Sequence, residues 1–593
     1  MAALAAAAAL ATAAAGRPIP EAEALQPPTP ARLAAVAAAA KQDGWGPQQA
    51  DLRAAARLAY ERDKLPAAEA WNHVRRWAEL FAQTEAEFVP QWIAAVNAAQ
   101  VGHPNMPSRY GTRPVPIGDV LAPELKLWLL GQTELSGEFH ALVSPVDFLP
   151  RSFAILQELY AHDAAVFKKF PALAVAIALV YDVPPPPIWP HAQVTAEALP
   201  RRFPAPTAAF AWWAKQEQLG KTYHRLARLG PDELKFLVDV AAPFAELEWA
   251  QLVSNHPLGQ LAGAYTMVRY RNDRLANRTP IWSGSSYALA EIMAAGGICA
   301  DQAYFATQVG KARGVPTLLF SGAGNDGRHA WFGYLGADGK WKMDAGRYAE
   351  QRFVTGFARD PQTWREISDH ELAFLGERFR DLPSFRQSRV HVAFAADFLA
   401  TGLDRAAGTA ARKAVNFERR NQAGWEFLLT AARREGRDAK AVESLLREAA
   451  AAFARYPDLE LLYGKRLADS LRARGETSLA DAELQRLAAK NRSGRSDLNV
   501  EQARDAVRRA IATQPLPQQL LAYNQAVDTF GRGAGVAFFD QVVAGFVEHL
   551  LRLGRRTEAQ QALDRARRAL RVEPKSQLAA DFELLGKTVR ETK

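Results

Sequence analysis

Three residues of the types that catalyse acyl transfer follow one another in the middle of the chain: Cys299, His329 and Asp344. A thiolate attacks a carbonyl carbon, an imidazole carries the proton, and a carboxylate holds the imidazole in one tautomer. Cys299 is the one cysteine among 593 residues, which excludes an intrachain disulfide framework and a cysteine-based zinc site. The thiol therefore serves either packing or chemistry.

The segment around Cys299 predicts a helix that begins at the thiol. Gly296 and Gly297 interrupt the preceding helical pattern, and glycine is the common residue at the end of a helix. Small and apolar residues then recur at helical spacing, at Ala303, Phe305, Ala306, Val309 and Ala312. The unpaired N–H groups and the positive dipole end of such a helix would lower the thiol pKa from about 8.5.

A β-hairpin is predicted downstream, with His329 near its start and Asp344 near its end. An alternating strand runs from His329 to Leu335, and the turn Gly336-Ala-Asp-Gly339 leads into a second strand that returns to Asp344. Adjacent strands would bring the imidazole and the carboxylate together, with the imidazole facing the thiol.

This segment resembles the transglutaminase-like superfamily of papain-related cysteine enzymes. The resemblance covers roughly residues 235–380 and lies in the order and spacing of its parts. Those parts are Gly-x-Cys at a helix start, a helix that closes in Gly314-Val-Pro316, His329-Ala-Trp331 on a strand, and Trp341 before Asp344 on the next strand.

The resemblance implies a role for each residue of the triad. Cys299 would be the nucleophile, His329 the general base and then acid, and Asp344 the acid that orients His329. It also implies a papain-like helix packed on an antiparallel sheet, with no cofactor and no metal. Tyr265 and Trp282 are candidates for the oxyanion donor, although a core position is the better interpretation of both.

Three other polar residues near the triad are interpreted as structural. Asp301 follows Cys299 closely and would raise the thiol pKa if it faced the site, so we assign it to the helix N-terminus. Arg347 and Tyr348 could line the cleft or cap the edge of the sheet, and a structural role is favoured for both.

The composition is that of a globular protein with several folded units. Hydrophobic residues make up 49% and charged residues 23%, which permits large buried cores. The net charge of +9 is spread over interspersed acids and bases, so it does not indicate nucleic-acid binding. No phosphate-binding loop, dinucleotide fingerprint or His-Glu-x-x-His helix is present, and we expect neither a nucleotide cofactor nor a metal.

The sequence divides into an α+β domain with mainly helical regions on both sides. The predicted parts are a signal peptide at 1–16, a helix-rich region at 17–230 with a Pro-rich linker near 183–206, a transglutaminase-like domain at 231–385 and helical repeats at 390–593. The Ala-rich start lacks a positive leader, so a disordered or helical tail is the alternative. Export to the periplasm or medium is expected, otherwise a cytoplasmic location, and no transmembrane segment.

The C-terminal region contains a repeated sequence pattern around Gly436, Gly475 and Gly554. A small residue closes one helix and a second helix ends near a proline, which resembles tetratricopeptide-type hairpins. A plain helical bundle is the alternative. Stacked hairpins would offer a groove to a protein partner.

Two functions remain open from the sequence. The first is a thiol-dependent enzyme, a peptidase, amidase or protein-glutamine acyltransferase, that acts through a cysteine thioester on a peptide or protein. The second is a catalytically idle transglutaminase-like scaffold whose helical repeats hold protein partners. A retained Cys, His and Asp favour the enzyme, because a binding module needs no thiol.

Overall fold

The computed structural model describes residues 18–99, 113–276, 281–324, 327–348, 354–492, 494–532 and 534–592. This part of the chain is mostly helical and contains an antiparallel sheet of five strands, which confirms the predicted α+β class. The signal peptide predicted at 1–16 lies outside the described residues.

The N-terminal region is an assembly of helices packed around large aromatic side chains. Trp71 and Trp77 are fully buried, and Trp77 stacks on Phe139 with ring centroids 4.6 Å apart. The helices are α1 (Glu21–Ala24), α2 (Pro30–Asp43), α3 (Gln48–Glu61), α4 (Leu65–Ala82), α5 (Glu85–Ala99), α6 (Pro123–Leu130), α7 (Thr133–Leu142), α8 (Leu149–His162), α9 (Ala164–Lys169), α10 (Pro171–Val180) and α11 (Pro206–Gln218).

The central region contains short helices followed by the sheet. Its helices are α12 (Pro231–Val238), α13 (Phe244–Val253), α14 (Asn272–Ala276), α15 (Leu289–Ala295) and α16 (Cys299–Ala312). Its strands are β1 (Thr317–Ala323), β2 (Arg328–Leu335), β3 (Trp341–Ala345), β4 (Phe357–Arg359) and β5 (Glu366–Ser368), in the spatial order β3-β2-β1-β4-β5. The predicted antiparallel hairpin is confirmed as β2 and β3.

Helix α16 is the central support of this region. It begins at Cys299, as predicted, and every residue from Ala300 to Ala312 is buried. The glycine break is also confirmed, since Gly296 ends α15 with a φ of 74° that side chains rarely adopt. Helix α16 packs on β1, β2 and α13, so the thiol is held at the end of a rigid element.

The C-terminal region is a row of helices in which successive members pack on one another. Gly436, Gly475 and Gly554 each follow a helix with positive φ, consistent with the predicted helix ends. The helices are α17 (Asp369–Leu375), α18 (Pro383–Ala400), α19 (Asp404–Phe417), α20 (Gln422–Arg434), α21 (Ala439–Ala452), α22 (Pro457–Ala473), α23 (Thr477–Asn491), α24 (Ser496–Thr513), α25 (Leu516–Phe530), α26 (Gly535–Phe538), α27 (Ala544–Arg552), α28 (Arg556–Ala569) and α29 (Gln577–Glu591).

Two hydrophobic cores account for most of the packing. One core is continuous from Ala24 to Ala480 and crosses from the N-terminal helices through α16 to α23. A second core spans Val500 to Val589 within the last helices. Within the described ranges, no helix combines the length and apolar character that a bilayer crossing requires.

The last helices return to the sheet and hold the hairpin of β1 and β2. The Arg328 guanidinium forms a fork with Asp540, at 2.5 and 3.1 Å, and reaches Asp581 at 3.0 Å. The backbone N–H of Arg328 donates to the Gln577 side chain at 2.8 Å. Together these contacts form the Arg328 clamp, and they join β2 to α29 and to the π-helical segment Phe539–Val543 that follows α26.

Candidate active site

Cys299 lies half-buried at the first position of α16. Burial raises the pKa of the Cys299 thiol above its ordinary value, while backbone N–H groups of Ala330 and Ala300 act in the opposite direction. The nearby Asp301 carboxylate adds to the increase. The expected lowering by the helix N-terminus is therefore outweighed, because loss of water disfavours the thiolate more than the local donors favour it.

The sulfur is close to the strand that carries the histidine. The backbone N–H of Ala330 is near enough to the sulfur to oppose the increase in the pKa of Cys299, and Ala330 is the neighbour of His329 on β2. Helix α16 therefore brings the thiol close to the strand that carries the residue predicted to be its base.

The His329 ring is buried and held on two sides. It is 4% exposed, and Nε2 lies 2.7 Å from the Gly346 carbonyl oxygen. A carbonyl can only accept, so the neutral ring carries its proton on Nε2 and a lone pair on Nδ1. The Tyr348 ring stacks on the imidazole with centroids 4.0 Å apart. A lone pair on Nδ1 is the form that a general base requires.

Asp344 and His329 do not form the predicted contact; each has a different partner. The Asp344 side chain is 75% exposed and pairs with Arg347 at 2.8 Å. The physical reason is the hairpin register: Ala345 pairs with Phe332 and is buried, so its neighbour Asp344 points outward. The acceptor at Nε2 is instead the carbonyl of Gly346.

Arg347 joins the hairpin to the helix behind it. Its side chain is buried, lies 4.6 Å over the Trp331 ring and is 3.2 Å from Asp369 at the start of α17. Burial raises the pKa of Asp369, and the Arg347 charge opposes that increase. These contacts agree with the structural role predicted for Arg347.

Tyr270 is a site residue that the sequence reasoning missed. It forms a parallel bridge with Gly297, and the next residue, Arg271, donates its N–H to the Gly297 carbonyl at 2.8 Å. Burial raises the pKa of the Tyr270 hydroxyl, and the closeness of Cys299 and Tyr348 raises it further. No local pattern marks this residue, because the bridge joins segments that no repeat or turn connects.

The two suggested oxyanion donors are both engaged elsewhere. The Tyr265 hydroxyl donates to the Ala330 carbonyl at 2.8 Å, and the Trp282 indole N–H donates to the Ser286 carbonyl at 2.8 Å. Both side chains are buried. These positions agree with the core interpretation of the two residues.

Asp301 holds the turn that leads into α16. The carboxylate is fully buried and accepts from the Ile298 N–H at 2.8 Å and from the Tyr287 hydroxyl at 2.7 Å. It also pairs with Arg274 at 2.7 Å. This network supports the structural assignment of Asp301, since the carboxylate caps the helix rather than facing a substrate.

A large cleft opens beside His329, between the sheet and the C-terminal helices. Its volume is about 1710 Å³, and its walls include His329 and Gly322 on the strand side. Asp458 and Arg495 lie on the helical side. Sites for small molecules typically measure about 300–1,000 Å³, so this cleft is large enough for a chain-like ligand.

Comparison of the chain with models of known families, with curated proteins and with solved structures finds no match. Among the described residues, no group of three or more His, Cys, Asp or Glu side chains is arranged to hold a metal ion. The geometry of the site is therefore the basis for assigning a function.

Proposed function

We propose that this protein is a thiol-dependent enzyme that cleaves or transfers amide bonds of a peptide or protein substrate. Cys299 is the nucleophile and His329 the general base and then acid. The reaction class is that of a peptidase, an amidase or a protein-glutamine acyltransferase. Residues 231–385 form a transglutaminase-like domain in this proposal, and the helices after 390 form tetratricopeptide-like repeats.

One observation carries the proposal. The single thiol of the chain lies at a helix N-terminus, close to the backbone of Ala330, which is the neighbour of His329 on β2. The His329 Nε2–H donates to the Gly346 carbonyl, so the neutral ring carries its lone pair on Nδ1. A nucleophile, a base and a group that orients the base are the parts that acyl transfer needs.

The reaction proceeds through a thioester. The Cys299 proton moves to His329 while sulfur attacks the carboxamide carbon, and the carbonyl oxygen takes the negative charge. The N–H groups at the start of α16 have no acceptor within the helix and can stabilise that oxyanion. His329 then protonates the departing amine or ammonia. Water, or a bound amine, attacks the thioester and releases the acyl group, and the proton returns to the thiol.

The orienting role belongs to a backbone carbonyl in this mechanism. The Gly346 carbonyl accepts a hydrogen bond from Nε2–H and stabilises the imidazolium when His329 is charged. Asp344 does not contact His329 in this mechanism, and its ion pair is with Arg347. Substitution of Asp344 should therefore reduce turnover far less than substitution of Cys299 or His329.

A covalent adduct is the direct test. The full-length protein is incubated with an electrophilic peptide amide analogue, digested and analysed by mass spectrometry, and we expect one label, on Cys299. Cys299→Ala should abolish both label and turnover, and His329→Gln should lose nearly as much turnover. The exposed variant Lys342→Gln, on the same hairpin, is the matched control and should behave as wild type. Labelling at another residue, or full turnover by Cys299→Ala, would overturn the proposal.

A binding or scaffold protein is the second candidate, and the raised pKa of the Cys299 thiol favours it. A half-buried thiol with a raised pKa is compatible with a retained but idle fold. Peptide binding without any adduct or turnover, by wild type and by Cys299→Ala alike, would select this candidate.

Export is part of the proposal, because the Ala-rich start is typical of the hydrophobic part of a signal peptide. N-terminal sequencing of the protein from its native host tests it. A chain that begins after Gly16 agrees with export, whereas an intact Met1 contradicts it.

A further inference from the structure

The turn between β4 and β5 reaches from the sheet into the N-terminal helices. Gln362 of this turn is buried, and its amide group donates to the Leu142 carbonyl at 2.9 Å and to the Asp147 carboxylate at 2.8 Å. Leu142 ends α7, and Asp147 lies in the connection from α7 to α8. We call this contact between the β4–β5 turn and the α7–α8 connection the Gln362 joint.

Two carboxyl groups are buried at the Gln362 joint. Asp147 is 1% exposed, and Asp182, which follows α10, is 4% exposed. The two are close together, because the Asp182 carboxylate accepts from the N–H of Phe148, the residue after Asp147, at 2.5 Å. In both carboxyls the Oδ1 atom is buried and has no hydrogen-bond donor. A buried acceptor without a donor costs free energy, so these two oxygens call for a proton donor.

The lysines nearest to these carboxyls are paired with other acids. Lys235 of α12 pairs with Asp360 of the β4–β5 turn, and Lys311 of α16 pairs with Asp239. Within the part of the chain that the structure describes, no cation forms an ion pair with either carboxyl of the joint. Each lysine therefore compensates one carboxylate, and two uncompensated negative charges would lie in the interior if every carboxyl were ionised.

Burial makes the two carboxyls of the joint weak acids. It raises the pKa of Asp147 to about 7, and the hydrogen bonds from Ser144 and Gln362 oppose only part of that increase. Lys235 lowers the pKa of Asp147 further, whereas Asp360 raises it. Burial also raises the pKa of Asp182, and the Asp147 charge adds to the increase. An ionised carboxylate can only accept, so a proton on one carboxyl supplies the donor that the pair lacks.

We propose that Asp147 and Asp182 together hold a proton near neutral pH, and that loss of this proton opens the Gln362 joint. Two ionised carboxylates need water, which reaches them only when the β4–β5 turn moves away from the α7–α8 connection. The inference is independent of the proposed function, because neither Cys299 nor His329 takes part in it. It gives the molecule a pH-sensitive contact between the N-terminal helices and the edge of the sheet.

The direction of the pH effect follows from the raised pKa values. The closed joint binds the proton more tightly than an open, hydrated joint, in which a carboxyl has its ordinary pKa of 3.8. The free energy that holds the joint closed is therefore greatest below that value, and it falls as the pH rises toward about 7, where Asp147 ionises in the closed joint. Alkaline conditions open the joint and acidic conditions close it.

Infrared spectroscopy of the full-length protein detects the proton directly. A protonated carboxyl absorbs separately from a carboxylate, and Asp182→Asn should remove part of the acid absorption near pH 6. Asp344→Asn is the control and should leave that absorption in place, because Asp344 is 75% exposed and lies outside the joint. Circular dichroism checks that each variant is folded. If Asp182→Asn misfolds, Asp147→Asn, which changes the other carboxyl, should give the same loss.

Hydrogen exchange followed by mass spectrometry measures the opening. Peptides that cover 142–148 and 357–368 are compared between about pH 5 and 7, and each rate is divided by that of the unfolded chain at the same pH. If opening releases one proton, this corrected rate should rise about tenfold per pH unit in the wild type. Asp147→Asn combined with Asp182→Asn should remove most of the rise. A peptide that covers 559–566, in the second core, should show no such rise in either protein.

Unchanged acid absorption in both Asp182→Asn and Asp147→Asn would overturn the inference. A corrected exchange rate of the joint peptides that does not depend on pH would overturn it as well. So would an equal rise in the wild type and in the double variant, or a rise shared by 559–566, since either result would show that the opening does not depend on this pair of carboxyls.

Discussion

At the scale of single residues, the site combines a half-buried thiol with donors that favour its ionised form. Burial raises the pKa of Cys299, and the N–H groups of Ala330 and Ala300 oppose that increase. The raised pKa favours the neutral thiol, and in the proposed mechanism the thiolate forms when His329 takes the proton. Proton transfer and attack on the substrate belong to the same step in this arrangement.

Because Cys299 is the single cysteine, the protonation of its thiol can be measured by alkylation. Because the pKa of Cys299 is higher in the folded than in the unfolded chain, alkylation by iodoacetamide should rise with pH at a higher midpoint in the native protein than in urea. The urea-unfolded chain is an internal control, since it contains the same thiol without burial. A native midpoint below that of the unfolded chain would contradict the expected neutral state.

Tyr348 positions the His329 ring by stacking. Tyr348→Phe keeps the stack and should retain most of the turnover, whereas Tyr348→Ala removes it and should lower kcat by about two- to thirteenfold, the range expected for an aromatic contact of about 0.5–1.5 kcal/mol. Steady-state kinetics on a small amide measures both. Equal losses of kcat in Tyr348→Phe and Tyr348→Ala would assign the effect to the hydroxyl group of Tyr348 instead.

At the scale of elements, α16 depends on a buried ion pair at its far end. Lys311 is almost fully buried and pairs with Asp239, whose pKa burial raises to about 6. Lys311→Met leaves that carboxyl buried without its partner and should lower the free energy of unfolding by about 3 kcal/mol. The control Lys342→Met breaks the exposed pair with Asp338 and should cost much less, because water screens that pair. Urea unfolding followed by circular dichroism compares the two.

The Arg328 clamp makes the last helices part of the support of β2. Asp540→Asn combined with Asp581→Asn removes both charges that face the guanidinium and should lower both turnover and melting temperature. Raising the salt concentration toward 1 M should produce part of the same loss in the wild type, because the three side chains are partly exposed. Unchanged turnover in the double variant would show that β2 holds His329 without the clamp.

Local patterns predicted α16 and the hairpin, because a glycine break, a helical stripe and strand alternation each act over a few residues. The position of Asp344 could not be predicted in the same way. The register shifts between Phe332 and Tyr334, and a shift of one residue reverses the direction of a side chain. Tyr270 and Asp540 reach the site only through the folded chain, and neither has a sequence signal of its own.

At the scale of the whole molecule, the predicted boundary near 390 does not coincide with a break in packing. The first core runs through it, and Asp397 of α18 pairs with Arg53 and Arg57 of α3. The second core begins at Val500. The division between the two largest cores therefore lies between Ala480 and Val500, where a small cluster of Leu461, Leu487 and Leu498 bridges them.

Two truncations test this division. Removal of 494–593 should leave a cooperatively unfolding protein, since the first core ends at Ala480, but with lower turnover because the Arg328 clamp loses its partners. Removal of 401–593 deletes part of the first core and should abolish cooperative unfolding. Thermal melts and turnover of a small amide distinguish the two. Cooperative unfolding of the shorter chain would contradict a core that continues to Ala480.

The Arg328 clamp also sets an order of events during synthesis. Cys299 and His329 leave the ribosome long before Asp540, Gln577 and Asp581, which lie in the last part of the chain. Contacts of such high sequence separation form late in folding. The hairpin therefore reaches its final support only after the segment through Asp581 has been translated, and a ribosome-bound or prematurely terminated chain that stops before this segment carries the thiol and the histidine without the clamp that secures them.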